Sequence, residues 1–232
     1  MIPAPFDYQR AGSVDEAIEL LAAHGDDAKL LAGGHSLLPL MKLRLAQPTV
    51  LVDIGRIGDL SYVEDGGGTV RIGALTRHHD VASSDLVREQ APLLAEVAGQ
   101  IGDPQLLHRV TIVGSIALVY PASDLPAVLL ALRGTLVVRG PGGEREIAAD
   151  DFFTGFLETA LAPDEVLTEL RVPAVPGVGW AFEKFNRRSQ DWAIVGVAAA
   201  LTNGAGGPGV GLVNMGSAPL RAAGVEDALR SG

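Results

Sequence analysis

The spacing of apolar residues in the first part of the chain predicts a small unit in which helices and strands alternate. Ser13 can cap a helix that ends before Gly25, and the apolar residues of this helix recur at helical spacing: Ala17, Ile18, Leu21 and Ala22. The pattern also predicts a strand at residues 29–32, a helix at 37–45 and a covered strand at 50–54. Residues 1–57 are therefore expected to form an N-terminal α/β subdomain.

The middle of the chain combines short strand patterns with apolar segments. Further elements are predicted around glycine-rich turns and between them: two strands within residues 62–72, a helix starting near 80, a helix at 92–101, strands at 136–139 and 145–147, and a strand at 167–172. The most apolar stretch, residues 110–138, is interrupted by prolines and charges. We interpret it as a buried strand, a turn and a helix, and not as a membrane-spanning helix.

Two prolines and two glycines in residues 173–179 predict a linker. The second subdomain is therefore expected to span residues 58–174, and a third domain residues 178–232. In the third domain the pattern predicts strands at 180–185, 193–201 and 210–215, followed by a helix that begins near Leu220.

Composition narrows the classes of function. The 232 residues carry a formal net charge of −10, contain no cysteine and have a mean hydropathy of +0.26, which favours a folded protein. Without cysteine the chain can form no disulfide, thiolate nucleophile or Cys-ligated iron–sulfur cluster. The acidic balance argues against nucleic acid and membrane surfaces as partners. No leader pattern is visible at the start, so a cytoplasmic location is expected.

The first candidate for chemistry is the loop from Ala32 to Ser36, where two glycines stand between a predicted strand and a predicted helix. Backbone N–H groups in such a turn can bind a phosphate without any basic side chain. Ser36 can either cap the helix or donate its hydroxyl to the phosphate. An ordinary strand-to-helix turn explains the same residues, and the spacing matches neither a Rossmann nor a P-loop motif.

Other candidate residues favour structural interpretations. His78, His79 and Asp80 resemble a metal cluster, but consecutive residues at the end of a strand point to opposite faces. The acidic pair at residues 150–151 suits the first turn of a helix, and a local salt bridge is expected among residues 187–191. We therefore predict no metal site and no catalytic side chain.

Several long motifs resemble the flavin-binding medium subunit of the molybdenum hydroxylases, the group of aerobic carbon monoxide dehydrogenase and xanthine dehydrogenase. They are LLAGGHSLLPLMKLRLAQPTVLVDIGRI, VRIGALTRHHDV, the stretch from PASDLPAVLLALRG to DEVLTELRVP, and FEKFNRRSQDWAIVGVAAAL. The resemblance implies an α+β protein with two α/β FAD-binding subdomains of the p-cresol methylhydroxylase type, residues 1–57 and 58–174. A C-terminal α+β domain, expected to be incomplete because its last helix stops at Gly232, follows them.

The resemblance also implies a set of FAD-binding residues. A first pyrophosphate loop falls on Ala32, Gly33, Gly34, His35 and Ser36, and a second on Thr111, Ile112, Val113, Gly114 and Ser115. Asp124 corresponds to a polar partner toward the adenosine half of the flavin. Leu167 corresponds to a position near the isoalloxazine, and Lys184 to a basic residue at that same end.

Around the second loop the chain departs from the family pattern. Small or polar residues of the family are replaced by larger apolar ones at five positions: Leu107, Val110, Val113, Leu118 and Tyr120. Val113 is expected to matter most, because a β-branched residue is poor at positive φ and its methyl groups would fill the space of a phosphate. The second loop is thus expected to be either compromised for FAD or rebuilt as an apolar surface.

Two functions follow from these observations. By resemblance, the chain is a flavoprotein subunit whose FAD passes electrons from a partner's iron–sulfur clusters to a quinone, NAD or oxygen. Its expected partners in a hetero-oligomer are an iron–sulfur small subunit and a molybdenum-cofactor large subunit. The alternative is a scaffold or interaction protein on the same fold, natural or engineered, that binds no flavin.

Overall fold

The computed structural model describes residues 2–202 and 206–231, and its first part is a parallel sheet with two helices. The elements are β1 (Asp7–Arg10), α1 (Val14–His24), β2 (Ala28–Leu31), α2 (Leu37–Lys42) and β3 (Val50–Asp53). The strand order is β1-β3-β2. Ser13 Oγ accepts a hydrogen bond from Glu16 N at 3.1 Å, and Gly25 ends α1 at a positive φ, which confirms the predicted first helix.

The middle of the chain forms a five-stranded antiparallel sheet of order β4-β5-β10-β6-β7, a small hairpin and most of the helices. Its elements are β4 (Val63–Asp65), β5 (Thr69–Gly73), α3 (His78–Ser83), α4 (Asp85–Gln90), α5 (Pro92–Gln100), α6 (Pro104–Leu107), α7 (Ile112–Ala117), α8 (Asp124–Ala131), β6 (Thr135–Gly140), β7 (Gly143–Ala148), α9 (Ala149–Phe152), β8 (Phe153–Gly155), β9 (Glu158–Thr159) and β10 (Val166–Pro173).

The last part is a four-stranded antiparallel sheet followed by a helix. It contains β11 (Trp180–Phe185), β12 (Val195–Ala200), β13 (Gly209–Val213), β14 (Leu220–Arg221) and α10 (Ala223–Ser231). The predicted linker is hydrogen-bonded to the middle sheet region, because Ala174 N donates to Gly68 O and Val175 N to Gln90 O. The proposed domain boundaries remain a prediction.

One apolar core joins the middle and last sheets through α8. Every residue of α8 is buried, and the helix contacts α5, β12 and β13. A second, smaller core lies under the first sheet and includes Leu60, Leu75 and Val166 from the middle of the chain. Helices and strands thus share each core, as expected for an α+β fold. In the part of the chain that the structure describes, no helix combines the length and apolarity needed to cross a membrane.

Two predicted elements were wrong. The stretch that begins at residue 110 starts with the helix α7 instead of a buried strand, because Thr111 Oγ1 caps it by accepting from Gly114 N at 3.2 Å. A short run of buried apolar residues does not distinguish a strand from a helix. The final helix begins at Ala223, after the short strand β14, and its buried residue is Glu226.

Candidate functional site

A cavity of about 630 Å³ lies where the first part of the chain meets the middle part. Its walls come from β2 and the loop after it, from the start of α7, and from the hairpin β8–β9 with the turn that follows. It brings together nine of the predicted site residues: Ala32, Gly33, Gly34, His35, Ser36, Thr111, Val113, Gly114 and Leu167. Two segments that are far apart in sequence therefore face one space, as the resemblance implied.

The first loop offers free backbone donors to this cavity. Within the described residues, the N–H groups of residues 33–36 donate to no protein acceptor. Gly34 has φ +79°, a conformation that favours glycine, and its carbonyl accepts from Leu38 N at 3.0 Å. Ser36 precedes α2, but its side chain makes no capping hydrogen bond, so the capping role considered for it is wrong. Unpaired N–H groups that line a cavity are suited to bind a phosphate.

The two loops are in direct contact at Gly33. A Cβ atom added to Gly33 would clash with the carbonyl oxygen of Arg109 and would lie 3.2 Å from Val110 Cα. Only a residue without a side chain permits this approach. The glycine is therefore required by the meeting of two loops, in addition to any ligand that they hold.

The second loop is the first turn of α7, and it is hydrogen-bonded to the extended segment before α3. Ile112 N donates to Thr76 O at 2.9 Å, and His78 N donates to Val110 O at 3.1 Å. Val113 lies in the helix with a negative φ and is 5% exposed, so the expectation of strain at positive φ was wrong. Its side chain nevertheless lines the cavity, next to Thr111 and Gly114.

Ile112 and Ser115 of the second loop do not line the cavity. Ile112 is fully buried in the core. Ser115 Oγ lies 2.8 Å from Nε2 of His78, and this hydrogen bond is to a fully buried imidazole. Burial lowers the pKa of His78 from 6.5 to about 4, so the ring is neutral at physiological pH. His78 was assigned no role from the sequence, since only its contact with Ser115 reveals one.

Asp124 and Lys184 form a buried ion pair away from the cavity. Lys184 Nζ donates to Asp124 Oδ2 at 2.7 Å, and their side chains are 11% and 5% exposed respectively. Burial raises the pKa of Asp124, and the hydrogen bond from Lys184 only partly opposes this. Asp124 Oδ1 is buried and has no hydrogen-bond partner among the described residues.

The structure places Asp124 and Lys184 together, although the resemblance assigned them to opposite halves of the flavin. Leu167 lines the cavity beside the first loop, whereas Lys184 does not. The reason is topological, because Leu167 lies on the central strand of the middle sheet and Lys184 on an edge strand of the last sheet. The part of the flavin that each residue contacts stays a prediction.

The apolar replacements around the second loop do not form an exposed surface. Val113 is buried, Leu107, Val110 and Leu118 are half-buried, and only Tyr120 is classed as exposed, at 36%. The ring of Tyr120 packs edge-on against that of Trp192, with centroids 4.8 Å apart. Val110, Val113 and Leu118 line the cavity, so these apolar replacements form part of its wall and not of the outer surface.

The remaining sequence candidates have structural roles. His78, His79 and Asp80 lie in the first turn of α3 instead of a strand end, and His79 stacks on His108. Among the residues described, no group of three His, Asp or Glu side chains is arranged to hold a metal ion. The expected local salt bridge is confirmed, since Arg188 Nε lies 3.4 Å from Asp191 Oδ2.

A second polar cluster was not predicted from the sequence. The Glu169 carboxylate is 4% exposed and accepts hydrogen bonds from Tyr62, Arg71 and Arg171. Burial acts to raise the pKa of Glu169, but the three donors together hold it below its ordinary value. Arg71 lies on β5, Glu169 and Arg171 lie on β10, and Tyr62 directly precedes β4, so only the pairing of these strands in the sheet brings them together.

Comparison with known proteins shows which family and which relatives this chain is similar to. Residues 4–175 match the family model described as the FAD binding domain in molybdopterin dehydrogenase. The chain is 50% identical over 202 residues to the carbon monoxide dehydrogenase medium chain of Hydrogenophaga pseudoflava, covering 87% of this chain and 70% of that one. It is 42% identical over 224 residues to the medium chain of Afipia carboxidovorans, covering 95% and 78%.

A solved structure agrees with these relatives. It is the carbon monoxide dehydrogenase of Hydrogenophaga pseudoflava that lacks the Mo-pyranopterin moiety of its cofactor. It superposes with a TM-score of 0.95 at 47% identity, over 99% of this chain and 81% of that chain. The likeness therefore extends beyond the residues that the family model matches and includes the last sheet.

Proposed function

The chain belongs to the family of FAD-binding domains in molybdopterin dehydrogenases, and we propose that it is the electron-relay subunit of a molybdenum hydroxylase. FAD is its cofactor. The proposed partners are an iron–sulfur small subunit and a molybdenum-cofactor large subunit, and the proposed acceptor is a quinone, NAD or oxygen. Bound FAD supplies the redox chemistry, because it can exchange electrons with one-electron and two-electron partners.

The single observation that carries the proposal is the cavity between the two loops. Its volume falls in the range of sites for organic ligands. The free N–H groups of residues 33–36 supply neutral donors for a pyrophosphate, which suits a chain whose net charge is negative. The residues present thus fit a dinucleotide, and this chain's task is to bind it and hold its position.

We further propose how the site residues divide along the cofactor. The phosphates are held by Ala32–Ser36 and by the turn Thr111–Ser115, and Leu167 lies near the isoalloxazine. Asp124 and Lys184 hold the ring end together. Lys184 donates to one carboxylate oxygen of Asp124, and the other oxygen has no partner among the described residues. The pair therefore retains a hydrogen-bond acceptor. No acid or base of this chain is proposed to take part in the electron transfer.

The alternative of a scaffold without flavin is not favoured. It depended on strain at Val113 and on an exposed apolar surface. Val113 is helical, so the strain is absent although its side chain lines the cavity, and of the five replacements only Tyr120 is classed as exposed. The relatives are dehydrogenase medium chains, which does not favour it either.

An equilibrium titration of the purified chain with FAD, followed by flavin fluorescence, tests the proposed function. We expect saturable binding near one FAD per chain. Co-purification with an iron–sulfur subunit and a molybdenum-cofactor subunit encoded with the chain tests the proposed assembly. A chain that takes up no FAD and joins neither subunit would refute the proposal.

A further inference from the structure

Two stretches of this acidic chain contain no acidic residue, and the fold brings them together beside the cavity. Asp and Glu account for 28 of the 232 residues, yet residues 28–52 and 104–123 contain neither. These stretches carry the first and the second loop, which meet where Gly33 approaches the carbonyl oxygen of Arg109. Negative side chains are thus absent from both loops and from their neighbours in sequence, in a protein whose net charge is −10.

The helix α2 and the turn after it lie within the first of these stretches and expose three leucines. Leu38, Leu43 and Leu45 are 37%, 56% and 74% exposed. None of the three lines the cavity, whereas Leu37 and Leu40 do. The segment therefore has one side in the wall of the cavity and another side that leaves apolar side chains in water, a feature typical of contact surfaces.

Two exposed cations, Lys42 and Arg44, alternate with these leucines. Neither forms an ion pair with any residue that the structure describes. Arg44 adopts φ +59°, which is uncommon for a residue with a side chain. Two backbone hydrogen bonds hold the turn in this shape, from Arg44 N to Met41 O at 3.0 Å and from Leu45 N to Leu40 O at 2.9 Å. Such unusual backbone conformations are found preferentially at functional sites.

The chemistry of this segment selects the kind of molecule that covers it. Cations next to exposed apolar side chains are complementary to an acidic protein surface with an apolar centre. A second copy of this chain does not suit, because a two-fold contact would place the same cations against one another. A lipid bilayer does not suit either, since α2 has only six residues and many helices that lie on membranes have 20–30.

We propose that the α2 surface, formed by Leu38, Lys42, Leu43, Arg44 and Leu45, docks an acidic face of the iron–sulfur subunit. This inference rests on the proposed function and identifies where one of its partners binds. Since α2 also lines the cavity, a subunit docked there lies next to FAD, as electron delivery to the flavin requires. Opposite charges on the two faces would also speed their encounter and make it sensitive to salt.

Substitutions on the α2 surface test this contact in the FAD-loaded full chain, with the iron–sulfur subunit encoded with it as the probe in calorimetric titrations. Leu43→Ser combined with Leu45→Ser should weaken association at least about tenfold, because a few well-packed side chains supply most of the affinity of a contact. Lys42→Glu combined with Arg44→Glu should weaken association about tenfold and reduce its dependence on NaCl. Arg88→Glu on α4, where the side chain is 59% exposed, is the matched control and should leave association unchanged.

Further measurements separate the contact from folding and from the identity of the partner. The FAD affinity and the melting temperature of the variants should match those of the parent, because the α2 surface does not line the cavity. In the assembled complex, a photo-reactive amino acid in place of Leu45 should cross-link to the iron–sulfur subunit, and one in place of Arg88 should not. In the parent itself, association should weaken as the NaCl concentration rises.

Undiminished association of both double variants, or association of the parent that NaCl does not weaken, would overturn the inference. Cross-linking from position 45 to the molybdenum-cofactor subunit or to a second copy of the chain would also overturn it. Binding of the parent to phosphatidylglycerol vesicles that is lost in the leucine double variant would do the same. A parent that joins neither subunit would instead overturn the proposed function.

Discussion

Replacing Gly33 with alanine tests whether FAD binding requires the close approach of the two loops. The added Cβ would clash with the backbone oxygen of Arg109 and would sit 3.2 Å from both the carbonyl carbon of Arg109 and Val110 Cα. These are backbone atoms that cannot rotate away, so the loops must separate. Forcing an extra carbon into such a contact costs about 1–3 kcal/mol. If this free energy is lost when the loops close on FAD, the affinity for FAD falls roughly 5- to 150-fold.

The assay is a titration with FAD alongside thermal unfolding of the same protein. Gly224→Ala is the control, because an alanine Cβ there meets no atom within 4 Å and the position lies in α10. Helix propensity predicts that this control is slightly stabilised, by up to about 1 kcal/mol, with unchanged FAD affinity. If Gly33→Ala bound FAD as tightly as the parent, the two loops would not act as one site, and the reasoning from their contact would be refuted.

Three further predictions concern the residues around the site. The His78 imidazole gains a proton near pH 6.5 in the unfolded chain but only near pH 4 in the folded one. The free energy of unfolding should therefore fall by about 3 kcal/mol in all as the pH falls between these values, and His78→Gln should flatten this dependence in denaturant titrations. Glu169→Gln should lower the melting temperature at pH 7, and the difference from the parent should shrink as the pH falls below the ordinary glutamate pKa of 4.5, because the stabilisation by a carboxylate of depressed pKa is lost as it protonates. Val113→Gly should destabilise the chain by about 1 kcal/mol or more, and the parent should take up FAD without this change. If the variant bound FAD and the parent did not, the helical placement of Val113 would be contradicted.

Local signals predicted the first helix and the first loop well. Ser13, the apolar spacing and Gly25 act within a few residues of one another, and the structure places α1 between them. The predicted second helix was too long, since α2 ends at Lys42 and Arg44 adopts a positive φ. Helix ends of this kind depend on local backbone geometry that no cap residue marks.

Local sequence signals could not predict contacts between residues that are far apart in the chain. The resemblance named Asp124 and Lys184 as site residues, but only the fold shows that they form one buried pair. His78 was weighed from the sequence only as part of a metal cluster, and its contact with Ser115 is visible only in the fold. Val113 was expected to be strained because a positive φ was assumed for the loop, whereas the Thr111 cap starts a helix in which its φ is negative.

The flavin content of the purified chain tests the central claim most directly. The absorbance spectrum of the protein, or of the protein incubated with FAD and freed of excess ligand, gives the number of FAD molecules per chain. The account predicts a flavin band at close to one FAD per chain, strongly reduced in Gly33→Ala and retained in Gly224→Ala. A folded parent chain that stays colourless after incubation with FAD would contradict it.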